Sequence, residues 1–348
     1  MDIIIPCAGM STRFPNMRPK YLLCDYQGRS MIQLAVDQYL TDHSVHIVIL
    51  QKHEDEYNVT DQFRNMFGTL VDVIILPHLT QGPADTVYQA LDKITFGNSQ
   101  DFLVRDCDSI ITHDRLHTGN KVFVDTLDNQ PALNKPKNKS YVSSNDLGVI
   151  NNIVEKEIIS NTFCVGGYQF DNINKYKSAF NIIKENKSDE IYISSIIDYL
   201  LSKDTVFTIQ SVNSYIDLGT LEDWEAYNNK PTIFCDIDGT LVVNQSLYGS
   251  NNYKDEAILL ENNVKTLLAS QCNGCQIIFT TSRPQKFHNE TRWLLDSLGF
   301  GMCQLIMGLH HSRRIVVNDH AQTNPYPSAV AINLPRNSDT LASYLRGI

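Results

Sequence analysis

Two short stretches of the chain join an apolar strand to residues able to handle phosphate. In "IFCDIDGTLV", residues 233–242, Asp236 and Asp238 stand one position apart at the end of an apolar run. Alternate residues of a strand point the same way, so both carboxylates face one side, and Gly239 permits a tight exit. One carboxylate can attack phosphorus while the other protonates the leaving oxygen and later activates water. Two such acids repel, and Mg²⁺ relieves that repulsion while clamping the phosphate. In "PCAGMSTRFPNMRPKYLL" the strand ends in a small-residue turn, Ala8 to Thr12, followed by Arg13 and Lys20. Backbone N–H groups of such a turn bind phosphate, and cations on both sides suit a triphosphate. A third stretch, "RDCDS" at 105–109, follows the apolar "DFLV" and aims Asp106 and Asp108 to one side beyond a strand end.

These residues need a scaffold. At 348 residues the chain exceeds what one hydrophobic core usually organises, so two domains are expected. Through residue 109, apolar runs such as "DIIIPC", "SVHIVILQ" and "VDVIILP" alternate with amphipathic stretches such as "SMIQLAVDQYL" and "PADTVYQALDKI". That alternation is the pattern of an α/β sheet covered on both faces, with ligands at the carboxyl ends of its strands. The Pro-, Asn- and Lys-rich segment 130–146 reads as a loop, and Lys135, Lys137 and Lys139 as a solvated face, with contact to an anionic substrate as the other reading. Polar residues 228–231 precede a fresh buried strand, which sets the boundary: domains 1–229 and 230–348. The second part alternates again through "TIFCDIDG", a helix near "DEAILLENNVKTLLAS", "QIIFTTSRP", "HNETRWLLDSLG", "QLIMG", "RIVVNDH", "AVAINL" and a terminal helix.

A formal net charge of -10 argues against a general grip on nucleic acid or on an anionic membrane, so bound phosphate must meet local cations. The start "MDIIIPCAGM" lacks a basic leader and reads as a first strand rather than a signal peptide. Eight cysteines without a disulfide-like rhythm suit a reducing cytoplasm, and "CNGC" at 272–275 reads as a turn.

The first cassette and its surroundings resemble the sugar-phosphate nucleotidyltransferases of the nucleotide-diphospho-sugar transferase superfamily. Their signature runs Gly, x, Gly, x, Arg-Phe, then Pro-Lys; here Ser11 takes the second glycine's place. "TQGPADTV" at 80–87, "RDCDS", "VEKE" at 154–157 and "YIDLGTLEDW" at 215–224 follow in the family's order, and the resemblance covers most of residues 1–229. It implies a Rossmann-like domain with a mixed sheet. It further implies that Ala8, Gly9, Met10 and Ser11 cradle the nucleotide, that Arg13 and Lys20 neutralise the triphosphate and incoming phosphate, and that Gln81 and Gly82 face the base. Asp108 and Asp217 would hold Mg²⁺. Asp106 joins the nucleotide site or caps its loop, since the family usually has Gly-Asp where this chain has Arg105-Asp106. Glu155 and Lys156 contact the sugar and its phosphate or form a strand-end ion pair.

The second cassette resembles the first motif of the haloacid dehalogenase-like phosphohydrolases, over residues 231–348. The resemblance implies a Rossmannoid domain with little or no cap, with Asp236 as nucleophile, Asp238 as acid/base, and both carboxylates on Mg²⁺. "IIFTTSRP" supplies Thr281 for phosphate, with Thr280 as the one-residue alternative, and "VVNDH" supplies Asp319 as a further metal carboxylate beside Asn318. The family's lysine is expected after "LIMG", where this chain has Leu309-His310-His311-Ser312-Arg313-Arg314, so Arg314 is nominated in its place. His310 and His311 read as surface residues.

Together these implications describe a bifunctional Mg²⁺-dependent enzyme of nucleotide-sugar biosynthesis for surface polysaccharide. One half transfers a nucleotidyl group from a nucleoside triphosphate to a phosphorylated sugar or polyol, and the other hydrolyses a phosphomonoester. The expected setting is cytoplasmic, without nucleic-acid or membrane partners, with a homo-oligomer open. Two alternatives stand beside it: a cytidylyltransferase for a non-sugar phosphate or phosphonate such as phosphocholine, and a nucleotidyltransferase whose second domain is an inactive binding module.

Overall fold

Runs of isoleucine and valine bounded by polar turns build a sheet that is buried on both faces. The computed structural model describes residues 1–97, 100–186, 189–245, 257–319 and 329–345. The chain divides into two units, Met1–Asn228 and Asn229–Ile348.

The first unit runs β1 (Asp2–Pro6), α1 (Met31–Val36), β2 (Ser44–Leu50), α2 (Gln51–Tyr57), α3 (Val59–Phe67), β3 (Val71–Leu76), α4 (Pro83–Leu91), β4 (Phe102–Arg105), β5 (Ser109–Thr112), β6 (Lys121–Thr126), β7 (Ser140–Ser144), β8 (Ile150–Glu155), β9 (Thr162–Phe170), α5 (Ile173–Asn186), α6 (Ile193–Leu201), β10 (Thr208–Ser211), β11 (Ser214–Asp217) and α7 (Leu221–Asn228). The main sheet has the order β10-β6-β9-β4-β1-β2-β3. β1 pairs in parallel with β2 and β4, whereas β9 runs antiparallel between β4 and β6, so the sheet is mixed. Alternation along β1 sends Ile4 into one core with Val48, Val104 and Phe180, and Ile3 and Ile5 into the other with Ile47, Leu103 and Phe63. Each such side chain contributes about 1.5–3 kcal/mol of burial. Helix α1 starts where Ser30 and Gln33 form a capping box, which satisfies two amides of its first turn.

Two smaller pairings deliver side chains to the carboxyl ends of β1 and β4. β5 and β11 form an antiparallel pair with Asp217 opposite Ser109, and β7 and β8 form another with Ser140 opposite Glu155.

The second unit runs β12 (Thr232–Asp236), α8 (Glu261–Cys272), β13 (Gln276–Thr280), α9 (His288–Ser297), β14 (Gln304–Ile306) and α10 (Leu341–Leu345). Its strands form a parallel sheet in the order β12-β13-β14. Ile237, Leu241, Leu267, Phe279, Leu295 and Phe300 are fully buried in its core. Asn263, also fully buried, ties the ends of the unit together. Its amide donates to the carbonyls of Thr240 and Ser338, and its oxygen accepts from the Leu341 amide at 2.8 Å.

The expected strands at "RIVVNDH" and "AVAINL" do not form among the described residues. Ile315, Val316 and Val317 are 77%, 65% and 90% exposed. β-branched composition favours a strand only where a neighbouring strand and a buried face are available, and this segment has neither. The expected helix near "DEAILLENNVKTLLAS" begins at Glu261. Asp255 and Glu256 of that stretch, His320, and the residues after Leu345 lie outside the described residues. "CNGC" forms the turn between α8 and β13, with Gly274 at φ +91°. No helix among the described residues is long and apolar enough to cross a membrane.

One buried imidazole links three strands. His46 on β2 contacts Asp2 of β1 at 2.9 Å and Asp72 of β3 at 3.2 Å. Burial disfavours the charged ring, but the hydrogen bonds to Asp2 and Asp72 outweigh it and the His46 pKa is raised. A raised histidine contributes stability that is full below its unfolded value of about 6.5 and is lost as pH rises through the folded value. Urea unfolding between pH 5.5 and 8.5 should therefore show wild-type stability falling through that window relative to His46→Phe. Parallel pH profiles for the two proteins would contradict the assignment.

Candidate functional site

The turn after β1 is shaped by one residue in an unusual conformation. Ser11 has φ +52°, the left-handed region that glycine enters freely, at a cost of about 1 kcal/mol for other residues. Its hydroxyl accepts from the Lys20 amide at 3.1 Å and its carbonyl accepts from the Phe14 amide at 2.8 Å, so the turn is held despite the missing glycine. A Cβ added at Gly9 meets nothing within 4 Å. Internal packing therefore does not demand glycine there, and the turn leaves open space in front of its backbone. Ala8 is buried beneath the turn, whereas Met10 and Arg13 are exposed.

The loop after β4 is organised by Arg105, which is fully buried. Its guanidinium donates to the carbonyl oxygens of Asp106 at 2.7 Å, Gly166 at 3.2 Å and Ser109 at 2.5 Å, and to the Ser109 hydroxyl at 2.9 Å. Loop 105–109 is thereby fastened to β9. The Asp106 carboxyl packs on Gly166, where φ is +84° and an added Cβ would lie 2.5 Å from Asp106 Oδ2. Burial, followed by the nearby Asp108 charge, pushes the Asp106 pKa up to about 6.

Asp108 gathers the cations. Lys20 Nζ lies 2.5 Å from Asp108 Oδ2, and Arg13 reaches the same oxygen at 3.7 Å with its side chain 59% exposed. Burial pushes the Asp108 carboxyl up, but Lys20 and Arg13 outweigh it and hold it well below the usual carboxylate range. Burial likewise pulls the Lys20 ammonium down, and Asp108 more than reverses the effect.

Asp217 is matched in the same way by Lys139, whose Nζ is 2.5 Å from Asp217 Oδ2 and donates to the Tyr215 hydroxyl at 2.8 Å. The two carboxylates meet around Gly219. A Cβ there would lie 3.1 Å from Asp217 Oδ1, 3.4 Å from Asp108 Oδ2 and 3.4 Å from an Arg13 nitrogen. Two hard oxygen donors facing the Gly219 position fit Mg²⁺.

A polar rim continues from this cluster. Glu155 Oε2 accepts from the Ser140 hydroxyl and, at 2.7 Å, from the Ser194 hydroxyl. Lys156, at φ +59°, donates to the Tyr192 hydroxyl at 2.5 Å, and Tyr192 donates to Glu190. Gln81 donates through its side chain to the Asp189 carbonyl at 3.0 Å. Gly82 allows the close approach of segment 190–191, since a Cβ would fall 2.8 Å from both Glu190 Cγ and the Ile191 oxygen.

In the second unit Asp236 ends β12 with its side chain about half exposed, and Arg314 approaches Asp236 Oδ1 at 3.6 Å. Burial raises the Asp236 pKa, Arg314 opposes the rise and Asp238 adds to it. Asp238 receives a two-pronged contact from Arg283, Nε to Oδ2 and NH2 to Oδ1, both at 2.8 Å. Arg283 is nearly fully buried and also donates to the Thr291 hydroxyl at 3.2 Å. The buried Thr281 hydroxyl accepts from the Arg283 amide at 3.1 Å. Thr280, at the end of β13, is buried as well. Asp319 lies in an exposed segment beyond Arg314, and His310 and His311 are exposed. Among the described residues no three His, Cys, Asp or Glu side chains gather as a metal cluster.

Arg13, Lys20, Asp108 and Asp217 thus come together in the first unit, and Asp236, Asp238, Thr281 and Arg314 in the second. Three further residues escaped the sequence reading as site residues. The sequence offers Lys139 a solvated face or contact with an anionic substrate, but no carboxylate partner; its side chain is only 19% exposed and turned onto Asp217. The Tyr215-Asp217 pairing that captures it is remote in sequence. Arg105 carried a signal, an arginine where the resembled family has glycine. Arg283 carried one too, two positions after Thr281.

No protein-family model matches the chain, and no curated protein is significantly similar to it. Solved structures share the fold of about two thirds of the chain. A nucleoside-diphosphate-sugar pyrophosphorylase from Vibrio cholerae RC9 is 19% identical, with a TM-score of 0.55 over 64% of this chain and 98% of that one. The inositol-1-phosphate CTP transferase from T. maritima is 15% identical, with a TM-score of 0.51 over 64% of this chain and 90% of that one.

Replacing Arg105 with Met removes the guanidinium donor from the carbonyls of Asp106 and Ser109 and from the Ser109 hydroxyl, while the Gly166 carbonyl keeps the Asp106 amide at 2.8 Å. Unpaired buried acceptors cost about 1–3 kcal/mol each, so a loss of about 3 kcal/mol or more is expected in urea unfolding. A loss below about 1 kcal/mol would show that the guanidinium does not hold the loop.

Proposed function

We propose that the first unit transfers a nucleotidyl group from a nucleoside triphosphate to a sugar or polyol phosphate, releasing pyrophosphate. The observation that carries this reading is the convergence of Arg13, Lys20, Asp108 and Asp217 beside an open glycine turn at the carboxyl ends of β1 and β4. An oxygen of the acceptor phosphate attacks the α-phosphorus, the bond to the bridging oxygen breaks, and pyrophosphate leaves with its electron pair. The protein needs no side-chain nucleophile for this; it aligns the groups and offsets charge. Backbone amides of Ala8 to Ser11 face the phosphates, and Arg13 and Lys20 offset the charge that collects on the leaving pyrophosphate. Gln81 and Gly82 border the base, and Glu155 and Lys156 meet the acceptor. Mg²⁺ on Asp108 and Asp217 would supply further charge neutralisation when bound.

In the second unit Asp236 attacks a phosphomonoester and Asp238 gives a proton to the departing alcohol, then takes one from the water that hydrolyses the aspartyl phosphate. Arg283 orients Asp238 through its fixed two-pronged contact, and Thr281 and Arg314 meet the phosphate; Mg²⁺ would be held by Asp236 and Asp238 and would offset the charge of the phosphate, while Asp319, the expected third carboxylate, does not gather with them among the described residues. A nucleotidyltransferase paired with a phosphatase suits a building block of surface polysaccharide that is trimmed at one phosphate and activated at another. A second reading, a binding module without hydrolysis, draws on the same Arg283 contact, because it engages both oxygens of the acid/base candidate.

Phosphorus-31 spectra of the full chain with Mg²⁺, each common nucleoside triphosphate and a panel of phosphorylated sugars and polyols separate these readings. Asp108→Asn is expected to lower diphosphate-diester formation by about 100-fold or more, the scale of losing a transition-state electrostatic contact. Asp236→Asn is expected to abolish only the release of inorganic phosphate. Undiminished diester formation by Asp108→Asn would remove the first assignment, and hydrolysis by neither protein would favour the binding module.

A further inference from the structure

Two cysteines of the first unit have no part in the transfer chemistry, and they stand side by side. β1 and β4 run parallel, with Ile3 beside Leu103 and Ile4 beside Val104. Continued past the strand ends, that register sets Cys7 opposite Cys107. Both thiols are free, and alternation turns both onto the face of Ile3, Ile5 and Leu103, into one shared core. There the two side chains are hydrogen-bonded to each other. Neighbouring strands lie about 4.7–4.9 Å apart, within the Cα separation of about 4.4–6.8 Å that a disulfide spans.

The position of the pair gives it leverage on the site. Cys7 precedes the turn Ala8 to Thr12, and Cys107 precedes Asp108. A bond between the sulfurs joins the turn to the loop where Lys20 and Arg13 meet Asp108. The loop cannot follow freely, because Arg105 fastens it to β9 and the Asp108 carbonyl accepts from the Leu218 amide at 2.9 Å. A disulfide draws two sulfurs from non-bonded contact to bonding distance, so the turn and its amides must shift.

We propose that Cys7 and Cys107 are a covalent modification site: hydrogen peroxide, or an oxidant of its class, converts them to a disulfide that loosens the grip of the turn on a nucleoside triphosphate. The effect on the triphosphate rests on the nucleotidyl-transfer reading of this unit. One sulfur takes an oxygen from the peroxide as the O–O bond breaks, giving a sulfenic acid and one water. The other sulfur attacks that sulfur, the S–O bond breaks, and the hydroxyl leaves with the second thiol's proton as another water. Two thiols are thereby oxidised by two electrons, and one peroxide is reduced to two waters. Each side chain is only 4% exposed, which favours a small oxidant over a bulky disulfide.

The full chain is treated with hydrogen peroxide, its remaining thiols are alkylated, and it is digested with trypsin without reduction. The expected product joins peptide 1–13 to peptide 106–115 and disappears with dithiothreitol. Isothermal titration with each common nucleoside triphosphate and Mg²⁺ should show binding weakened about tenfold by peroxide and regained on reduction, within the roughly 100-fold that a misplacement of about 1 Å can cost. Cys107→Ala and, independently, Cys7→Ala should bind triphosphate as the reduced wild type does and lose the response to peroxide. Cys24→Ser, at an exposed position, should keep it. Treated wild type in which the two residues stay alkylated, or carry sulfonic acid without being joined, would overturn the proposal. So would the joined peptide with unchanged triphosphate affinity, or a peroxide response that survives in both alanine variants. The joined peptide in a protein whose reduced form binds no triphosphate would keep the modification site and remove the transfer reading instead.

Discussion

Two aspartates brought to one end of a sheet repel each other, and the first unit is arranged around offsetting that repulsion. Lys20 meets Asp108 and Lys139 meets Asp217, each at 2.5 Å, and both acids face the Gly219 position. In a partly buried setting such contacts are screened much less than at the surface, which is why Lys20 and Arg13 outweigh burial and hold Asp108 ionised. The rest of the local structure serves this balance. Arg105 fastens loop 105–109 to β9, pairing of β5 with β11 brings Asp217 alongside, and the β7–β8 ribbon delivers Lys139.

The second unit handles neighbouring acids differently. Asp236 and Asp238 are separated by one residue, so no fold can move them far apart. A buried arginine takes Asp238 with both prongs, and a second arginine approaches Asp236 from a segment beyond β14. The planar guanidinium fixes the orientation of a carboxylate where a lysine offers only a point charge. One acid is thereby fixed and the other remains about half exposed.

Glycine conformations mark where backbone segments must approach. Gly82 admits segment 190–191, and Gly166 admits the Asp106 carboxyl; both have positive φ, so a side chain would be strained as well as crowded. Gly9 differs, since nothing in the protein occupies the space a side chain would take. The three positions look alike in sequence.

The alternating strands and helices of the first unit, the placement of Asp108 and Asp236 at or just beyond strand ends, and the small-residue turn are legible in the sequence, because these follow from period-two burial and from local turn chemistry. The sequence was a poorer guide after Gly308, where Ile315 to Val317 have strand composition but pair with no strand among the described residues. Pairing is a property of neighbours that composition does not carry. Only the tertiary structure decided that Lys139 turns onto Asp217, that Arg105 lies buried under the loop, and that Arg283 holds Asp238. Each of these contacts joins residues 45 or more positions apart or buries a charge against main-chain carbonyls, and neither periodicity nor spacing along the chain encodes which distant acceptor a long cationic side chain will find.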